Sequence, residues 1–196
     1  MSEQFDRIAP LWLDKLEKEL KPELQYHSIN HVLTVIERVE FIGSYEGLAP
    51  NDVALVKIAA LFHDSGFLIS PTNHEASSCA IVRDTLPDYG FAEADIEHIC
   101  ELIMATKIPQ SPKTLLENII ADADLEYLGT DLFEKIGKTL FEELKHFNPD
   151  FTEHAWDELQ LVFMQKHHYH TEYCQKHREP KKQENLLKVK KRLGLV

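Results

Sequence analysis

Glycine is scarce in this chain, seven in 196 residues. That excludes glycine-rich phosphate loops and argues against a turn-dense β architecture. Cysteine is scarcer: Cys79, Cys100 and Cys174 are odd in number, widely spaced and without a CxxC pair. Neither a disulfide framework nor a thiolate zinc site is expected from them. No apolar run approaches the ~20 residues of a membrane-spanning helix. The first ten residues, MSEQFDRIAP, have neither the basic nor the apolar segment of a secretory leader. The expectation is a cytoplasmic protein with reduced thiols and no membrane partner.

Hydrophobic residues make up 43% of the chain and charged residues 28%, a globular composition able to build a core. The formal net charge is −12. Residues 176–192 hold eight basic side chains against two acidic ones, a local +6 that leaves −18 on the remainder. A body this acidic repels a phosphate backbone, so nucleic acid is not an expected partner, and the basic segment reads as a solvated helix face. Histidine is abundant, with 11 residues, which directs attention to metal chemistry.

Apolar residues recur at helical spacing nearly throughout, and no segment alternates as a strand does. Stop and start signals divide the pattern into helices over 4–20, 29–46, 50–64, 71–86, 92–106, 114–128, 131–147, 152–177 and 181–193. Asp131 and Thr152 read as caps of the seventh and eighth. The fold class expected is all-α, a single compact domain of about eight to nine helices.

Four places concentrate metal-capable side chains. His27 and His31 lie four apart and share a face if both are helical; otherwise His27 sits above His31 at the helix entrance. His63 and Asp64 end the apolar stretch LVKIAALFHDSG. Neighbours on a helix point about 100° apart, so both reach one ion only beside the helix end. Asn73-His74-Glu75 opens another helix, and Asp122 and Asp124 interrupt the apolar run ENIIADADLEYLG. Any of these could instead cap a helix or satisfy a local hydrogen bond. Carboxylates among buried residues, however, are costly unless paired or metal-bound. Imidazole and carboxylate ligands together suit a divalent cation: Mn, Ni, Co, Fe, Zn or Mg.

The ordered set YHSINHV, LFHDSG, NHEASSCAIV, ELIMATKIP and ADADLEYLG resembles successive signatures of the HD-domain metal-dependent phosphohydrolases. The resemblance covers residues 24–130; 131–196 would be a C-terminal helical extension similar to that of a bacterial subgroup. It implies an all-helical fold in which His31, His63, Asp64 and Asp124 ligate one divalent metal, with Asp122 the alternative to Asp124. His27 would be the general acid, and Asp64 would also orient or deprotonate the attacking water. His74 and Glu75 match positions that contact a second metal or a phosphate. Arg38 and Lys107 are further candidates for the phosphate.

The implied activity is hydrolysis of a phosphate ester, as a phosphomonoesterase or phosphodiesterase. The implied partner is a nucleotide or another small phosphorylated metabolite. Two alternatives carry over from the same scaffold: a nucleotide-binding sensor without turnover, and a two-iron oxygenase, against which the lack of histidines between Gly66 and His74 counts. A second copy of the chain is a candidate partner through Trp12 or the 152–177 helix, although core packing is the commoner use of both.

Overall fold

The computed structural model describes residues 1–196 and contains no strand. Ten α-helices follow one another: α1 (Ser2–Glu19), α2 (Ile29–Tyr45), α3 (Pro50–Phe62), α4 (His74–Thr85), α5 (Glu93–Ala105), α6 (Leu115–Leu125), α7 (Phe133–Phe147), α8 (Glu153–Lys166), α9 (Glu172–His177) and α10 (Glu179–Arg192). Short 3-10 turns occupy Ser65–Leu68, Leu86–Tyr89 and Glu126–Gly129.

α3 is the axle of the main core. Its stretch from Ala54 to Phe62 is buried except at Lys57, as a helix apolar on nearly every face must be. It packs against α1, α2, α5 and α6. Trp12 of α1 is buried and stacks on Phe62 with ring centroids 4.5 Å apart, so its face belongs to the core. A second, smaller core joins Leu125, Leu128, Phe133, Met164, Leu186 and Val189. The end of α6 therefore lies where the two cores meet.

Ten helices stand where eight or nine were expected, because the 152–177 segment is two helices. α8 stops at Lys166, and the next residues are claimed from elsewhere in the fold. Lys182 Nζ donates to the His167 carbonyl at 2.8 Å. Asp122 accepts from the backbone N–H groups of His170 (2.9 Å) and Thr171 (2.8 Å) and from the Thr171 hydroxyl (2.6 Å). Weak helix formers, His167-His168-Tyr169-His170, ease the break. Thr171 then restarts the chain as the N-cap of α9, accepting from Cys174 N at 3.2 Å.

Two smaller expectations are corrected as well. Asp131 does not cap α7, which begins at Phe133; its carboxylate pairs with Lys181 at 2.6 Å. Nor is the basic C-terminal segment simply a solvated face. Lys182 is 1% exposed and paired with Glu179 at 2.8 Å, and Arg192 bridges Glu134 and Asp157. The segment straps the smaller core to α7 and α8. Thr152 does cap α8, accepting from Ala155 N at 3.1 Å. The three cysteines are free and buried. No helix is long and apolar enough to cross a membrane.

Candidate metal centre

Four helix ends converge on one point. Ser28, in extended conformation, caps α2, so His27 precedes the helix and His31 lies in its first turn. α3 ends at Phe62, and Asp64 takes φ −101°, ψ 4°, the sparsely populated bridge region that often holds active-site residues. That break turns Asp64 away from helical continuation and lets it and His63 face the same point. Ser78 of α4 secures the bend: its hydroxyl donates to His63 O at 2.7 Å and accepts from Gly66 N at 2.8 Å. At Gly66 the two segments approach so closely that a Cβ would lie 1.9 Å from the His74 carbonyl oxygen, a position open only to glycine. Asp124 arrives from the last turn of α6.

His31, His63 and Asp124 bring their donor atoms within 4.8 Å of one another, and Asp64 adjoins the two histidines. His31 Nε2 lies 3.2 Å from His63 Nε2 and 3.0 Å from Asp124 Oδ1. Asp64 Oδ2 lies 3.1 Å from His63 Nε2 and 3.4 Å from His31 Nε2. His63 Nδ1 sits 2.8 Å from the Ala60 carbonyl, to which it donates, so Nε2 is the nitrogen turned to the cluster. Asp64 Oδ2 is buried without an aligned hydrogen-bond partner. Burial opposes charge on His63, yet the Asp64 and Asp124 carboxylates outweigh it and raise its pKa well above the usual value. Burial likewise opposes ionisation of Asp124, but hydrogen bonds from His31 and His63 hold its pKa down at about 2. The cluster thus concentrates negative charge that calls for a cation.

A second layer faces the cluster. His27 Nδ1 is paired with Glu143 Oε1, while Glu143 Oε2 accepts from the backbone N–H groups of Tyr26 (2.9 Å) and His27 (3.1 Å). His27 also stacks on Phe67 with centroids 4.0 Å apart, and with Nδ1 engaged by Glu143 its Nε2 is the ring nitrogen without a side-chain partner. His74 Nε2 lies 3.4 Å from Asp64 Oδ1 and 3.7 Å from Glu75 Oε1. Burial lowers the His74 pKa, but Asp64 overrides it and the net shift is upward.

The structure therefore gathers His27, His31, His63, Asp64, His74, Glu75 and Asp124. Asp122 is not among them: two residues from Asp124 and about 200° around the helix, its carboxylate is wholly engaged by His170 and Thr171. Arg38 is likewise withdrawn. It pairs with Glu126, which also binds Arg178 at 2.6 Å, and its guanidinium lies over Phe41. Lys107 is exposed, its Nζ 3.5 Å from Asn73 Oδ1 beside His74. Glu143 escaped sequence reasoning, although a signal was there. It lies seven residues after Ile136 and three after Leu140, a carboxylate on the apolar stripe of α7.

Beside the cluster opens a chamber of about 210 Å³ that His27, Asp64, His74 and Asp124 line on one side. Leu128, Phe133, Leu140, Trp156, Phe163 and Met164 form much of the remainder.

Comparison with known proteins bears on the family and the fold. The family described as "HD domain" matches residues 28–126, slightly more than half of the chain. Among solved structures, the fold is similar to that of a predicted HD superfamily hydrolase from an uncultured Thermotogales bacterium. The TM-score is 0.64 with 19% identity, over 97% of this chain and 92% of that one. No curated protein matches the chain.

Proposed function

The chain belongs to the HD-domain family of metal-dependent hydrolases, and on that premise we propose that it hydrolyses a small phosphate ester with the help of a divalent cation. The observation carrying this reading is the spacing of His31 Nε2, His63 Nε2, Asp64 Oδ2 and Asp124 Oδ1, with four separations of 3.0–3.4 Å and His63 Nε2 at 3.6 Å from Asp124 Oδ1. Ligands about 2.1 Å from one divalent ion stand about 3.0 Å apart in octahedral geometry and about 3.4 Å in tetrahedral geometry. The orphaned Asp64 Oδ2 and the facing imidazole nitrogens fit a cation better than they fit one another. Mn, Ni, Co, Fe, Zn and Mg all suit this donor set.

A divalent cation held there supplies Lewis acidity to a phosphoryl oxygen and lowers the pKa of a bound water. The chain does the rest. Asp64 Oδ1, on the His74 side, orients the attacking water and accepts its proton. His27, oriented by Glu143, delivers a proton from Nε2 to the ester oxygen. The new P–O bond forms to water as the bond to the alcohol breaks, releasing phosphate and a neutral alcohol; for a diester, the phosphate product retains its second ester. His74, with Lys107 nearby, offers positive charge to the non-bridging oxygens.

The test combines elemental analysis of the purified protein with phosphate release in the presence of each of these metals. Metal bound to the wild type and lost from His63→Ala, together with chelator-sensitive hydrolysis, is the expected result. Hydrolysis untouched by chelation would sink the reading.

A further inference from the structure

The chamber beside the cluster bears on which ester is cleaved, a question that rests on the hydrolase reading above. We propose that it receives the leaving group, so that the substrate is a phosphate ester of a compact apolar alcohol carrying one aromatic ring or a branched alkyl group of similar size.

Size is the first argument. An apolar cavity of about 150 Å³ holds a benzene molecule. At about 210 Å³ this chamber accepts a ring with a short link to the ester oxygen.

Chemistry is the second. No lysine or arginine lines the chamber. Away from the cluster, the Thr106 hydroxyl donates to Ile103 O at 2.8 Å, and Gln160 Oε1 accepts from Arg192 at 3.0 Å. A nucleobase or sugar placed among Leu128, Phe133, Trp156 and Phe163 would lose water from its heteroatoms and find few partners. A phenyl or branched alkyl group loses nothing of that kind and gains burial.

Position is the third. His27 and Asp64 line the chamber, whereas the polar groove beyond Tyr26 and Tyr127 touches neither of them. That groove does reach His31 and Asp124, but its Arg38 and Arg178 are both bound to Glu126, and its remaining cation is Lys135. A proton from His27 therefore reaches an ester oxygen whose alcohol points into the apolar space. Phe133, Leu140, Trp156, Phe163 and Met164 all lie beyond residue 126, outside the matched family segment, so this selectivity is a property of the chain's own C-terminal helices.

The test compares benzyl phosphate with methyl phosphate and adenosine 5′-phosphate on the metal-loaded protein. Benzyl and methyl alcohol are leaving groups of similar acidity. Binding is read separately from Trp156 emission on adding benzyl alcohol; the other tryptophan, Trp12, is buried against Phe62. The expected result is a kcat/KM for benzyl phosphate about a hundredfold above that for methyl phosphate, since a single methylene in such a pocket is worth about tenfold or more. The ratio should shrink about tenfold in Trp156→Ala and in Leu159→Asp, whose position is partly exposed and tolerates a charge. Benzyl alcohol should alter Trp156 emission in the parent protein and not in Leu159→Asp. Equal or faster cleavage of methyl phosphate or adenosine 5′-phosphate would overturn the substrate assignment and leave the hydrolase intact. An unchanged Trp156 emission would overturn the assignment as well. Failure to cleave any ester with any metal, while benzyl alcohol still binds, would overturn the hydrolase reading and this assignment with it.

Discussion

Glu143 of α7 holds His27 by its ring nitrogen and its backbone N–H, and accepts from the Tyr26 N–H as well, although His27 and Glu143 are 116 positions apart. Burial alone would raise the Glu143 pKa, but the His27 partnership lowers it, so the carboxylate stays ionised beside the ring it orients. Glu143→Gln keeps an acceptor for the backbone and removes the charge beside the ring. Loss of an orienting partner of this kind typically costs about 10- to 100-fold in activity. Steady-state kinetics should show that loss in kcat, with KM changed by less than about threefold and the melting temperature nearly kept.

Removing a donor atom should act on metal and activity together. His63→Ala deletes a nitrogen 3.1–3.2 Å from two other donors, and elemental analysis should find the ion gone. Circular dichroism should remain helical, because α3 is held by Val56, Ile58, Leu61 and Phe62 without it. Metal retained at wild-type level in His63→Ala would contradict the ligand assignment.

Asp122 and Asp124 should separate cleanly. Asp122→Ala strands two backbone N–H groups and a hydroxyl in the interior, at about 2–4 kcal/mol. For a chain of this length that is about a 5–15 °C fall in melting temperature, with metal content unchanged. Asp124→Ala should show the opposite, a lost ion and a smaller fall in melting temperature. Calorimetry and elemental analysis on the two variants decide it.

Residue types and helix ends offered four separate metal-capable places, and it was the resemblance to the HD signatures that joined His31, His63, Asp64 and Asp124 into one set. The choice between Asp122 and Asp124 was not legible, since both interrupt the same apolar run and only the chain from 167 to 171 distinguishes them. The break of the 152–177 helix was hidden for the same reason: its cause lies in Asp122 and Lys182, far away in sequence. Local propensity could not show that basic residues near the C-terminus are drawn inward by Glu126, Glu134 and Asp157.

His167 supplies a pH-dependent stability term away from the cluster. Burial first, then the neighbouring Lys182 charge, lowers its pKa to about 3, against about 6.5 in an unfolded chain. Between those values the unfolded state binds the extra proton, so stability rises with pH there. The contribution is complete above about pH 6.5 and is lost as pH falls toward 3. Urea titrations from pH 7 to pH 4 should show His167→Gln declining less steeply than wild type, by up to about one proton's worth of slope.

Glu126, by taking both Arg38 and Arg178, also sets a sequence of events. With those cations occupied, an ester arriving first meets the Asp64, Glu75 and Asp124 carboxylates on the chamber wall, whose like charge opposes it more than His74 alone attracts it. A dication held by His31, His63, Asp64 and Asp124 would offset the two ligand carboxylates and let the anion in. Metal and substrate should therefore add in compulsory order, and initial-rate patterns should show no productive complex in which the ester precedes the ion.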